Sequence, residues 1–263
     1  MLDVLPLGFP SRDNYSSMPW LRQSHKIDPR FSVRRACRAL AYRRITRFDR
    51  GMRITKYEHA AVTIDDNSAR LVIDPGSPLA SLTDFTGVAA VVVTHAHADH
   101  CSPSNLQRIA ELNPEVPIYA PAGVATTVPG VNVVTVSPGD VVSHGGFTLE
   151  FFGGEHAVIH ESVPVPVNVG VLVNGEFYYP GDSYALPGDH DVVVLAAPIG
   201  APWLKIGEAM DFVLDVAPQY CFGTHDMTLS PVGHAMHHER LGWATQQGGG
   251  QYIPLAVGES IDL

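Results

Sequence analysis

The densest chemistry in the sequence lies in Thr94-His95-Ala96-His97-Ala98-Asp99-His100. Three imidazoles and a carboxylate fall there within six residues. They follow residues 88–94, a run of β-branched and small apolar residues that reads as a strand buried on both faces. His95 and His97 alternate with alanines, so an extended strand end points both to one side. The loop that follows can turn Asp99 and His100 toward a second position nearby, and the alanines leave room for an ion to approach. Neutral imidazole with carboxylate suits zinc or another borderline divalent metal. One such histidine would read as a satisfied surface residue; three with an aspartate at this spacing read as a metal site.

The elements around this segment alternate strands with helices. Residues 53–57, 60–65 and 70–74 read as strands, the last two joined by the turn cluster Asp65-Asp66-Asn67-Ser68. After the histidines, Ser102 as N-cap and Pro103 at the first helical position start a helix that continues through 105–112 and stops at Pro114. Strands are expected at 116–120, 131–136, 147–152, 168–173 and 176–179, with Asn174-Gly175 as a hairpin signal between the last two. A buried strand at 191–196, a helix at 207–217, a strand at 219–223 and a helix at 230–246 complete the pattern, and Gly248-Gly249-Gly250 ends it. Such an order predicts an α+β chain of two sheets with helices outside. His234 and His238, with His237 beside them, sit at i and i+4 on the last helix, a spacing that can bind metal. No carboxylate–histidine pattern surrounds them, so they read as a solvated helix face.

Charge divides the chain. Residues 1–51 hold 11 Lys+Arg and 4 Asp+Glu, net +7; residues 52–263 hold 6 and 23, net −17. The first part reads as a basic extension, poorly ordered or an arm for an anionic partner, with residues 34–50 able to form a short basic helix. Compact patterning starts at Met52, which is an alternative start of the chain. The acidic main part argues against nucleic acid as its partner, because a strand binder needs Lys and Arg facing phosphates. No apolar run reaches the ~18 residues of a membrane span, and residues 1–30 lack a signal-peptide core. The three cysteines form no disulfide framework. The expectation is a cytoplasmic protein.

The segment His95-Ala96-His97-Ala98-Asp99-His100 resembles the HxHxDH signature of the metallo-β-lactamase superfamily. Further elements match in order: Gly154-Glu155-His156 after a strand, Tyr179-Pro180-Gly181-Asp182-Ser183, and Gly223-Thr224-His225-Asp226 at the end of another. Glu58-His59-Ala60 and Ile73-Asp74-Pro75-Gly76 are similar to segments of the L-ascorbate-6-phosphate lactonase-like branch, where Gly usually stands at the position of Glu58. The resemblance spans about residues 52–240. It implies a four-layer αββα sandwich with a dinuclear site at the sheet edges. It also implies one metal on His95, His97 and His156, a second on Asp99, His100 and His225, and Asp182 between them. His160 competes with His156 for the third histidine position; otherwise it points to substrate. Asp74 is expected to orient a ligand histidine or to cap its turn, and His59 to stand behind the ligands or simply to pack. The loop 197–203 should approach the metals, making Trp203 and Lys205 substrate contacts unless Trp203 only anchors the loop. Cys101 and Cys221 read as small buried residues, since Asp182 matches the position of the cysteine ligand of some zinc β-lactamases.

The resemblance implies a metal-dependent hydrolase: two divalent ions, Zn2+ by donor type with Mn2+ or Fe as alternatives, activate hydroxide against a small ester, lactone or phosphoester. Asp99 would orient that hydroxide and take its proton. Other expectations are a non-catalytic metal-dependent binding or sensing module, or a phosphodiesterase or nuclease-type member. The expected partner is a small-molecule substrate, with no membrane association.

Overall fold

The computed structural model describes residues 51–66 and 69–263. The expected basic helix and the turn residues Asn67 and Ser68 lie outside the described residues. Two seven-stranded sheets form the body. The first joins β1 (Met52–Lys56), β2 (Val62–Asp66), β3 (Ala69–Ile73), β4 (Val88–Val92), β5 (Ile118–Ala120) and β6 (Val133–Thr135) in chain order. The C-terminal β14 (Ser260–Asp262) closes its other edge against β1. The second sheet runs β7 (Val141–His144), β8 (Phe147–Gly153), β9 (Val169–Val173), β10 (Phe177–Tyr179), β11 (Val194–Pro198), β12 (Tyr220–Thr224) and β13 (Gln251–Tyr252). Each sheet is antiparallel on one side and parallel on the other: pairing turns parallel from β3 to β6 and from β10 to β13.

Alternation along the strands builds the layers, because successive side chains point to opposite faces. Ile73 and Val92 from the first sheet meet Phe151, Val171, Tyr179, Ala196 and Phe222 from the second in one core. Their neighbours Val72, Val91 and Val93 face outward onto Leu106 and Ile109 of α1 (Pro103–Leu112) and onto Val124 of the short α2 (Val124–Thr127). Leu172, Tyr178, Leu195 and Cys221 face Phe212, Val213 and Val216 of α3 (Ile206–Val216) and Leu241 and Ala244 of α4 (Pro231–Gln247). The result is the expected αββα sandwich. Among the described residues no helix is long and apolar enough to cross a membrane.

Local signals acted as expected at the helix starts: Ser102 Oγ accepts from Asn105 N and Ser230 Oγ from Gly233 N, each followed by proline. Asn174 and Gly175 both take positive φ, 54° and 72°, in the turn into β10. Strand 191–196 is displaced; it pairs only from Val194, where Phe177 and Tyr220 flank it, and runs on to Pro198. The short β7, β13, β14 and α2 were not foreseen. For β7 the signal was present: Gly145 and Gly146, with φ of 58° and 89°, turn the exposed 141–144 run into β8.

Candidate metal centre

The pairing senses place the C-terminal ends of β1, β3 and β4 on one edge of the first sheet, and those of β8, β10 and β12 on one edge of the second. The seven expected ligands, with Asp74 and His59, all leave from one of these ends. His95, His97, Asp99 and His100 follow β4, Asp74 follows β3, and His59 lies in the turn after β1. His156, Asp182 and His225 follow β8, β10 and β12. Asn168 braces the Asp182 turn from the side: its Oδ1 accepts from Asp182 N at 3.0 Å and its Nδ2 donates to Pro180 O at 2.9 Å. A side chain at Gly76 would put its Cβ 1.8 Å from Asp99 O, so only glycine lets β3's exit pass under the histidine loop.

The seven residues expected from the resemblance come together. Donor atoms of His95, His97 and His156 lie within 4.8 Å of one another, as do those of His95, His100 and Asp182, and those of His59, Asp99, His100 and His225. Asp182 stands in the middle, with Oδ1 3.2 Å from His100 Nε2 and Oδ2 3.3 Å from His156 Nε2 and 3.1 Å from His225 Nε2. These approaches lack hydrogen-bond geometry: His100 Nε2, His156 Nε2, His225 Nε2 and Asp182 Oδ1 are buried without a hydrogen-bond partner. The opposite nitrogens are all engaged. Nδ1 of His100 faces Asp74 Oδ2 at 2.6 Å, that of His156 faces Ala157 O at 2.5 Å, and that of His225 faces Gly200 O at 2.5 Å. Carboxylate and carbonyl oxygens only accept, so each Nδ1 carries the hydrogen and each Nε2 keeps a lone pair in the neutral ring. Buried polar atoms without partners cost about 1–3 kcal/mol each. The three lone pairs all face the Asp182 carboxylate, and with its Oδ1 they are donors of the kind that hold divalent cations.

Electrostatics follow the same geometry. Burial would raise the Asp182 carboxyl, but His100, His156 and His225 hold it well below the usual range. Burial would lower His100, but Asp182 and Asp74 raise it well above its ordinary value. Burial would also lower His225, and contacts with Asp182 and Asp99 lift it to about 9. His95 is pushed well below its ordinary value by burial and by His100, and His97 is lowered by burial and His156. The protein alone thus holds protons where cations would sit, and metal binding must displace them. Backbone strain gathers here too: His59, Asp74 and His225 adopt φ of 58°, 48° and 57°. Such left-handed positions cost about 1–3 kcal/mol each and persist where the surroundings hold them. His225 N donates to His59 O at 2.7 Å, tying two of the three together.

The remaining candidates separate. His59 Nδ1 accepts from Met227 N at 3.4 Å, so its Nε2–H donates to Asp99 Oδ2 at 3.1 Å and it holds that carboxylate in place. His160 is exposed, bonds Ser162 Oγ at 2.8 Å, and belongs to none of the three groups. Trp203, weighed as a substrate contact or a loop anchor, is only 8% exposed and donates from Nε1 to Asp182 Oδ2 at 3.0 Å. Lys205 is exposed, 3.9 Å from Glu208. Cys101 and Cys221 are buried and free. His234, His237 and His238 are half-buried rather than on a solvated face. His238 Nδ1 meets Tyr252 Oη at 2.6 Å and His237 Nδ1 meets Ile199 O, because α4 packs back onto β12 and β13. Sequence reasoning missed Lys56, whose buried ammonium pairs with Asp226 at 2.8 Å beside His225. Its only signal was the rarity of lysine in residues 52–263.

Comparison with known proteins agrees with this fold. Residues 53–225 match the family model described as a beta-lactamase superfamily domain, and the chain belongs to the metallo-β-lactamase superfamily. It is 33% identical over 195 residues to Protein Rv0786c of Mycobacterium tuberculosis, covering 72% of this chain and 91% of that protein. It is 27% identical over 232 residues to the UPF0173 metal-dependent hydrolase MJ1163 of Methanocaldococcus jannaschii, covering 80% of this chain and all of that one. Igni18, a metallo hydrolase of Ignicoccus hospitalis, shares the fold with a TM-score of 0.62 at 18% identity over 81% of this chain and 98% of its own. The metallo-beta-lactamase fold protein YhfI of Bacillus subtilis does so at 0.61 and 16%, over 80% and 99%.

Proposed function

We propose that the protein is a hydrolase using two divalent ions against a small ester, lactone or phosphoester. His95, His97 and His156 would hold one ion, Asp99, His100 and His225 the other, and Asp182 both. The observation that carries this reading is that three buried, unpartnered imidazole nitrogens, from His100, His156 and His225, surround the Asp182 carboxylate, whose Oδ1 is unpartnered too. Donor type favours Zn2+, and the two carboxylates make Mn2+ or Fe the alternatives. The ions would supply Lewis-acid activation of water and of the substrate oxygen. Asp99 would orient the attacking water and accept its proton at the carboxylate: its side chain is 37% exposed, and His59 Nε2–H fixes Oδ2. Burial would raise the Asp99 carboxyl, but His225, His59 and His100 hold it well below the usual range, so it is ionised and able to orient a water. A structural site is closed, whereas this exposed carboxylate opens the centre to solvent and supports catalysis over a sealed binding module. His59 and Asp74, in the segments similar to the lactonase-like branch, contact Asp99 and His100, which supports a lactone among the candidate substrates; a cytoplasmic location belongs to the same proposal.

Elemental analysis of the purified full chain and of Asp182→Ala, with a panel of lactones, esters and phosphodiesters, tests the reading. Two ions per chain, lost or halved together with activity in the variant, is the expected result. A chain that takes up no Zn2+, Mn2+ or Fe and hydrolyses nothing after their addition would overturn it.

A further inference from the structure

We propose that Trp203 is a positioning residue: its indole N–H fixes the Asp182 carboxylate that both halves of the centre share, and so couples the binding of the two ions. This inference rests on the dinuclear reading above. The indole has one polar hydrogen and no acceptor, and it is spent on Asp182 Oδ2 at 3.0 Å. Among the described residues this is the one hydrogen bond to that carboxylate. It leaves Oδ1 and the remaining lone pair of Oδ2 for cations, on the sides where His100, His156 and His225 stand.

The donor is itself clamped. The Trp203 ring meets Tyr184 edge-on with centroids 5.5 Å apart, His156 at 5.9 Å and His225 at 6.3 Å. Its loop is anchored by Ile199 N on Thr224 O at 2.9 Å. Three residues earlier, Gly200 O accepts from His225 Nδ1 at 2.5 Å. One loop therefore sets the aim of two centre residues that arrive from different strands, Asp182 after β10 and His225 after β12. A side chain at Gly200 would place its Cβ 2.6 Å from Leu229 Cγ, so glycine is what lets the loop pack this closely on Leu229. A carboxylate left without this donor could rotate about its Cα–Cβ and Cβ–Cγ bonds, and both ions would lose the same ligand geometry at once.

Trp203→Phe keeps an aromatic ring against Tyr184 and removes only the donor. In a chelator-competition titration of the full chain with Zn2+, the variant should bind both ions about 10–100-fold more weakly, the usual cost of losing a partner behind a metal ligand. A purely structural role would instead lower the melting temperature of the metal-free protein and leave affinity per folded molecule unchanged; that result overturns the proposal. The second measurement does not need Trp203→Phe to fold. In 15N-labelled wild type, assigned by Trp20→Phe and Trp243→Phe, the Trp203 indole N–H resonance should move as Zn2+ is added and stop moving at two ions per chain. A resonance that does not respond while Zn2+ binds overturns the proposal. Binding of Zn2+ by wild type with wild-type affinity in Trp203→Phe sinks this inference alone; failure of wild type to bind any ion sinks the dinuclear reading with it.

Discussion

At the centre, what each imidazole can do is decided by the partner of its second nitrogen. His100 is the clearest case, since Asp74 Oδ2 faces its Nδ1 at 2.6 Å while Asp74 also accepts from Thr94 N and Thr94 Oγ1, both at 2.7 Å. Asp74→Asn preserves shape and the bond from Thr94 N but sets an amide N–H2 against His100 Nδ1–H. The ring must then turn its lone pair inward and give Nε2 the hydrogen. Metal content per folded molecule after dialysis against buffered Zn2+ should fall, with affinity about 10–100-fold weaker, and the melting temperature of the metal-free chain should fall as well, because the buried His100 loses its charged partner. The two neighbours His156 and His160 give a sharper contrast. His156→Ala should lose an ion and His160→Ala should retain both, measured by elemental analysis; equal loss would mean the exposed His160 reaches the centre after all. The ligand motif was legible because a metal site concentrates rare residue types at strand ends. Which of two nearby histidines turns inward was not, because the bond from His156 N to Pro166 O at 3.1 Å decides it. The roles of His59 and Trp203 depend on Met227 and Asp182, far away in sequence, and no local pattern carries them.

Strands and helices were legible where periodicity and capping agree, as at Ser102-Pro103 and Ser230-Pro231, and where continuous β-branched runs mark β4 and β9. The two-to-four-residue β7, β13, β14 and α2 have too few residues to show a period; strand pairing alone defines β13 and β14. Loop tethers were equally hidden. Glu58, where the resemblance expects glycine, reaches across to Ser81, accepting from Ser81 Oγ at 2.8 Å and Ser81 N at 3.0 Å, and from Ala80 N at 3.4 Å. Burial would raise its carboxyl, but these hydrogen bonds lower it below 4.5. A depressed carboxyl adds stability above its unfolded value, and that stability disappears as pH falls through the folded value. The melting temperature of Glu58→Gln should therefore lie below that of wild type at pH 7, and the gap should close as pH drops below about 4.5. A gap that stays constant down to pH 3 would show that the charge on Glu58 contributes nothing to the tether.

Across the whole molecule, the centre exists only while two sheets hold their edges in register, and one buried ion pair spans that gap directly. Lys56 ends β1 in the first sheet, and Asp226 follows β12 in the second, next to His225. Their charged atoms meet at 2.8 Å, with Lys56 1% and Asp226 12% exposed, and the ammonium also donates to Tyr57 O at 3.1 Å. A buried pair of this kind adds little net energy over an apolar pair of the same volume, because desolvation offsets the attraction, but loss of one partner leaves a buried charge uncompensated. Lys56→Met should thus cost about 3–5 kcal/mol in urea unfolding, whereas Lys56→Met combined with Asp226→Leu should recover much of that loss. The two variants should nevertheless agree in one respect. Without the cross-sheet pair, the loop carrying His225 keeps its backbone bond to His59 O, the bond from Met227 N to His59 Nδ1 and the Nδ1 bond to Gly200 O, but no charge across the gap from Lys56. Zn2+ affinity should then be weakened in both, even where stability has returned. If the double variant regains both stability and full Zn2+ affinity, the pair is only a packing feature; if it regains stability alone, the sheets are held by their cores and the centre by the charges between them.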